Sequence, residues 1–155
     1  MKRSSAQAEQ TFQAQQLIAR PLADVFEFFS QASNLGLITP PWLAFSILGS
    51  EPGQVSTGTV IPYRLRLHGV PLIWVSQIDA FEQDRMFVDR QLIGPYKLWV
   101  HRHEFEADGE RTIIRDEVRY RLPFGPLGDL ANLLFVRRDV QRIFAYRREA
   151  VARLL

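Results

Sequence analysis

The chain has 155 residues, 46% hydrophobic and 23% charged, enough for one hydrophobic core and too apolar for a disordered chain. It has no cysteine, which excludes disulfides, thiolate metal sites and cysteine nucleophiles, and its formal net charge of +2 gives no reason to expect nucleic acid as a partner. The basic start MKRSSAQAEQTFQAQQ is followed by no apolar run, and nothing reaches the roughly 20 apolar residues of a membrane span, so a cytoplasmic protein without leader or anchor is expected.

Residues 1–10 are polar and read as a flexible N-terminus, leaving one domain over residues 11–155. From Thr11 the chain alternates, with Phe12, Ala14, Gln16 and Ile18 on one side, which predicts a first strand ending near Arg20. Pro21 suits the first turn of a helix whose apolar stripe is Leu22, Val25, Phe26 and Phe29. A second short helix is expected over residues 30–37, stopped by Thr39-Pro40-Pro41. Strands follow over 42–48, 59–67, 70–81, 86–93, 98–107 and 111–122. If His68-Gly69 is a two-residue loop, Leu65 faces Leu72 and Tyr63 faces Trp74, while Arg64 and Arg66 take the other side. Beyond Pro123-Phe124-Gly125-Pro126 the period turns helical, and Leu130, Leu133, Leu134, Val140, Ile143, Phe144, Val151 and Leu154 form the expected stripe of one long helix over 127–153. No internal repeat or linker interrupts this order. An antiparallel sheet needs its apolar face covered, and one long helix can do it.

Alternation sorts the polar residues of the sheet. Trp99, His101, His103 and Phe105 share a face, and Arg115, Glu117, Arg119 and Arg121 mark the opposite face of the last strand as outward. With Asp108-Gly109 as the hairpin loop, His103 opposes Ile114, His101 opposes Asp116 and Trp99 opposes Val118, with Tyr120 further along. With Gly94-Pro95-Tyr96 as a three-residue loop, Asp89 opposes His101 and Gln91 opposes Trp99, and Phe87 lies on the same face. Buried polar groups need partners. Three readings fit the cluster: a satisfied network that fixes register, a polar patch orienting an apolar ligand, or acid–base catalysis by His101 oriented by Asp116. A metal held by His101, His103 and a carboxylate has weak support, because no further histidine lies near. Arg137, Arg138, Arg142, Arg147, Arg148 and Arg153 are expected on the helix's outer face, as a solvated surface or as a dock for an acidic membrane or partner.

These residues resemble a known family. Ile38-Thr-Pro-Pro-Trp-Leu43, Tyr63-Arg-Leu-Arg-Leu-His-Gly69 with Trp74, and the run Phe87-x-Asp89-x-Gln91-x-x-Gly94-Pro95-Tyr96-x-x-Trp99-x-His101-x-His103-x-Phe105 look like the SRPBCC superfamily of START, Bet v 1-like and polyketide cyclase-like domains. Asp116-x-Val118-x-Tyr120-x-Leu-Pro-Phe-Gly125 and Val136-Arg-Arg138 with Ile143-Phe-x-Tyr-Arg147 continue the likeness, most nearly to bacterial members labelled cyclase/dehydrase, some of them beside or fused to sugar-epimerase-like domains. The resemblance implies an α+β helix-grip fold, a curved antiparallel sheet with two short helices after its first strand and a long C-terminal helix enclosing a cavity. It implies a site for an apolar lipid-like, quinone-like or polycyclic molecule, with Tyr63, Trp74, Phe87, Trp99, Phe105 and Tyr120 as wall and Asp89, Gln91, His101, His103 and Asp116 as polar end. The Thr39-Pro40-Pro41 segment and the loop over 123–126 are the expected rims of its entrance. An aromatase/cyclase-type enzyme is the alternative. No metal or cofactor is expected, and no glycine-rich dinucleotide-binding turn follows a strand.

Overall fold

The computed structural model describes residues 8–155. In it the alternating segments become β1 (Gln10–Ile18), β2 (Ser46–Ile47), β3 (Val60–Leu67), β4 (Val70–Glu82), β5 (Met86–Ile93), β6 (Leu98–Asp108) and β7 (Arg111–Arg121). They form one antiparallel sheet in the order β1-β7-β6-β5-β4-β3-β2. Helix α1 (Leu22–Ser30) follows β1, and the C-terminal helical run is α2 (Pro126–Ala131), a π-helical turn over Asn132–Val136, and α3 (Arg137–Leu154). This is the expected helix-grip architecture. The expected flexible residues 1–10 lie mostly outside the described residues, but Gln10 already pairs with Tyr120 and Glu9 with Arg119 at 2.9 Å.

Alternation predicts which side of the sheet is buried. On β1, Phe12, Ala14, Gln16 and Ile18 are the more enclosed residues and Ile18 is buried. Helix α1 closes one end of that face with Val25 and Phe26, and the Phe26 ring meets Phe105, Phe81 and Phe87 edge-on at centroid distances of 5.0, 5.4 and 6.2 Å. Such edge contacts add to area burial because ring edges and faces carry opposite partial charge. Register shifts at Val75/Ser76 and Ile78/Ala80 interrupt the β4–β5 ladder, and bulges of this kind bend a strand and increase its twist.

Two expectations about the strands need correcting. The strand expected over 42–48 is mostly absent: Pro41–Leu43 is a 3-10 turn, Ala44 is left-handed, and only Ser46–Ile47 pairs with β3. Pro41 opens the 3-10 turn, where its fixed φ and missing N–H cost nothing, and Trp42 within it packs edge-on against Tyr146 at 5.7 Å. The short helix expected over 30–37 is present, as a 3-10 helix over Ala32–Ile38. The β6–β7 hairpin turns at Gly109-Glu110, because Asp108 pairs with Arg111. Gly109 has a φ of 62°, the first central position of a II′ turn, whereas the expected register needed it at the second position of a I′ turn. A two-residue shift keeps every side chain on its face, so His103, not His101, lies opposite Asp116. The His68-Gly69 turn has both residues at positive φ, and Leu65–Leu72 and Tyr63–Trp74 pair as expected.

The helical run crosses the sheet as predicted, but its first half is turned over. Leu130, Leu133 and Leu134 are exposed, and Gly128 and Asn132 are buried instead. Leu154, at the far end of the stripe, is also exposed. Below Asn132, the Tyr120 hydroxyl donates to Asn132 Oδ1 at 2.7 Å. Tyr120→Phe removes that donor from a buried amide and should cost about 1–2 kcal/mol in urea unfolding. Unchanged stability would mean that this bond contributes nothing net.

Candidate functional site

Between the sheet, the Ala32–Leu43 segment and α3 lies a cavity of about 190 Å³. Its wall includes Tyr63, Trp74, Phe87, Tyr96 and Trp99, with Val140, Ile143 and Phe144 from the helix. Trp74 and Trp99 meet at right angles, 5.4 Å between centroids, and Trp74 stacks on Tyr63 at 6.0 Å. The Trp74 indole N–H donates to Ser76 Oγ at 3.0 Å. Burial raises the Tyr63 and Tyr96 phenols well above their usual range, so both stay neutral.

The polar end comes from three strands and one helix. Asp89 of β5 pairs across the ladder with His101 of β6, as expected. The side chains cross diagonally. His103 Nε2 lies 2.7 Å from Asp89 and His101 Nε2 lies 2.8 Å from Asp116. His103 Nδ1 also approaches Asp116 at 3.3 Å, so Asp116 serves both rings. The imidazoles lie 3.6 Å apart, and Phe87 stacks on His103 at 4.2 Å.

Arg147, expected on the outer face of the helix, belongs to this cluster. Its guanidinium lies 3.9 Å from Asp116 and 3.4 Å from His103 Nδ1, and over the rings of Phe29 and Phe144 at 5.2 and 5.7 Å. Its side chain is 13% exposed against 12% for Asp116. Helical spacing carries the signal that its charge obscures: Val140, Phe144, Arg147 and Val151 recur at steps of four, three and four. Arg148 is exposed, as expected, and donates to the Gln15 carbonyl at 3.2 Å.

Burial and charge push the two histidines apart. Burial first, then the neighbouring His103, lowers the His101 pKa to about 4, so its imidazole is neutral at neutral pH. Ionised Asp116 can only accept, which puts the His101 proton on Nε2 and leaves Nδ1 as a lone pair 3.8 Å from Asp89. Burial opposes charge on His103 too, but its hydrogen bonds to Asp116 and Asp89 and their charges raise its pKa above the usual value. Burial alone would raise both carboxyls. The His103 bond and both imidazoles lower Asp89, and the Arg147 charge with the histidine bonds holds Asp116 well below the usual range. Two carboxylates then face the Arg147 cation and a histidine, His103, whose protonated form they favour.

Donor atoms of Asp89, His101 and His103 lie within 4.8 Å of one another, close enough to hold a cation. They already bond to one another and to Asp116, with the Arg147 cation alongside. They form a cluster joined by shared hydrogen bonds. Of the residues expected at the site, Tyr63, Trp74, Phe87, Asp89, Trp99, His101 and His103 line the cavity, and Gln91, Phe105, Asp116 and Tyr120 do not. Gln91 ties the β5–β6 turn, donating to the Tyr96 carbonyl at 2.7 Å and accepting from its N–H at 3.2 Å. Phe105 packs on Phe26, Asp116 sits behind the histidines, and Tyr120 is held by Asn132. Of the two expected rims, only Thr39 of the first reaches the cavity wall, and nothing from residues 123–126 does.

Curved sheet and gripping helix define an α+β domain with an aromatic-lined pocket between them. This is the helix-grip fold, shared with the solved structures described next. The chain is similar to the Zhui aromatase/cyclase from Streptomyces sp. R1128, with a TM-score of 0.73 and 19% identity over 94% of this chain and 92% of that one. It is similar to norcoclaurine synthase from Thalictrum flavum, with a TM-score of 0.72 and 12% identity over 97% and 96%. It is also similar to a nucleoside-diphosphate sugar epimerase from Corynebacterium glutamicum, with a TM-score of 0.65 and 23% identity, where it covers 92% of this chain but 28% of that one. No protein-family model matches the chain, and no curated protein matches it.

Proposed function

We propose that the chain binds a small ring compound, apolar over most of its surface and bearing an oxygen substituent at one end. The carrying observation is the cavity itself, an aromatic chamber of about 190 Å³ with Asp89, His101, His103 and Arg147 gathered on one part of its wall. An engineered apolar cavity of roughly 150 Å³ holds a benzene ring, so this volume favours one or two fused rings over a long lipid chain. The polar wall offers two functions to one oxygen. Arg147 is a donor, while His101 Nδ1 and Asp89 are acceptors. A hydroxyl or carbonyl is thereby oriented, and the rings of Trp74 and Trp99 take the apolar part. Bet v 1-like and cyclase domains share this fold, which supports a ligand-binding reading. The cyclase/dehydrase subgroup and a cytoplasmic location belong to this proposal as well, as does a single domain over 11–155.

Calorimetric titration with 1-naphthol and its apolar isostere 1-methylnaphthalene tests the reading. The wild type should prefer the naphthol by about tenfold, the worth of one hydrogen bond to a charged or polarised group. His101→Ala should abolish most of that preference in a folded protein. Equal affinity for both compounds, or a preference retained in His101→Ala, removes the polar end from ligand recognition.

A second reading rests on the contact of the two histidine rings, 3.6 Å apart: the carboxylates favour the protonated form of His103 while burial keeps His101 neutral, which sets a proton donor beside an acceptor. The Zhui neighbour is named an aromatase/cyclase, and norcoclaurine synthase is also named as an enzyme. A bell-shaped pH–rate profile with a carbonyl-bearing polyketide, lost in His101→Ala, would favour catalysis. Turnover unchanged in that variant would remove His101 from any such role.

A further inference from the structure

Where α2 and the π turn cross the sheet, the buried side is small and polar and the exposed side is apolar. Gly128 and Asn132 are buried, while Leu127, Leu130, Leu133, Leu134 and Phe135 face solvent. Phe124, just ahead of α2, is 81% exposed and held at a left-handed φ of 73°, a costly conformation for a bulky residue. Single exposed leucines are ordinary, but a contiguous apolar run is not. The run is also a ridge. Leu133 and Phe135, 69% and 59% exposed, are two positions apart and so point to nearly opposite sides of the helix, with Leu130 and Leu134 between them.

That shape and its flanking charge select the occupant. A flat protein partner covers one side of a ridge, whereas a lipid interface surrounds all of its exposed sides. The next turn carries Arg137 and Arg138, both exposed and neither in an ion pair among the described residues. The nearby Asp139 is already engaged by His68 at 2.6 Å. The apolar ridge therefore ends beside two exposed arginines that are in no ion pair among the described residues, the combination found on helices that lie in an anionic lipid surface.

We propose that the ridge from Phe124 to Phe135 docks the protein on an anionic membrane surface, its apolar side chains entering the boundary between headgroups and acyl chains while Arg137 and Arg138 meet lipid phosphates. The docking does not depend on what the cavity holds. Flotation of the full chain with phosphatidylcholine vesicles, with and without phosphatidylglycerol, tests it. Binding is expected to the mixed vesicles and to fall as salt rises. Leu133→Ser/Leu134→Ser should weaken it by about tenfold or more, because little apolar area remains to insert. Arg137→Glu/Arg138→Glu should weaken it by at least about tenfold and remove the salt dependence. All four side chains are exposed, so both variants should keep the parent melting temperature. Failure of the wild type to bind, or equal binding by both variants, overturns the proposal. A concentration-dependent dimer in sedimentation that Leu133→Ser/Leu134→Ser dissolves also overturns it, and assigns the ridge to a second copy of the chain.

Discussion

Arg147→Met should lower stability by about 3–5 kcal/mol, the usual cost of leaving one partner of a buried ion pair uncompensated, and lower the melting temperature by roughly 10 °C in a chain of this size. Methionine fills a similar volume over Phe29 and Phe144, so the loss is one of charge more than of packing. The variant leaves Asp89 and Asp116 without the arginine charge that helps hold both carboxyls low. Asp116→Asn in the same background removes the surplus charge and should restore more than half of the stability. The double-mutant cycle therefore separates coupling from simple truncation. A double variant no more stable than Arg147→Met would show that the guanidinium supports the fold by another route. A second signature is independent of stability: without the arginine cation, the next available proton acceptor is His101, whose pKa should rise from about 4 towards the ordinary value in an NMR titration.

What the sequence reveals, and what it hides, follows from what each signal measures. Period-two alternation assigns side chains to faces, so it alone places Trp99, His101, His103 and Phe105 inside, and a two-residue error at Gly109 leaves those faces intact. It cannot choose between turns that place glycine first or second, so it does not give the partner of each histidine. Helical periodicity likewise gives spacing but not direction. Under the first half of the helical run, Tyr96, Trp99 and Tyr120 already crowd the sheet, with centroids 4.8 to 6.0 Å apart. A leucine there would compete with three rings for space, and the helix offers Gly128 and Asn132 instead. Arg147 is hidden for the opposite reason, its charge outweighing a position that fits the buried stripe. The cavity depends on the separation of helix and sheet, which no local pattern encodes.

Stability should fall on both sides of a maximum near neutrality, each limb belonging to one histidine. His101 has a folded pKa of about 4, below its unfolded value near 6.5, so between those pH values the unfolded chain binds the extra proton. Its contribution is complete above the unfolded pKa and is lost as pH falls towards 4, about 3 kcal/mol in order of magnitude. His103 has the opposite sign. Its folded pKa is raised, so its contribution is complete below the unfolded value and is lost as pH rises through the folded one. Asp89 and Asp116, both lowered in the fold, add a further loss only at more acidic pH, as their own protons return. Urea unfolding across a pH series measures all of this. His101→Gln can still donate to Asp116 and should flatten the limb between pH 6.5 and 4, while His103→Gln should flatten the alkaline limb and leave the acid one. If the acid limb survives His101→Gln, the neutral imidazole is elsewhere and the acid–base assignment of the pair is wrong. If each variant removes its own limb, the chamber sets a histidine that favours its proton beside one that keeps a lone pair at neutral pH, at the end of an aromatic wall. That pairing can orient a hydroxylated ring, and it gives any chemistry at this wall an acid and a base in contact.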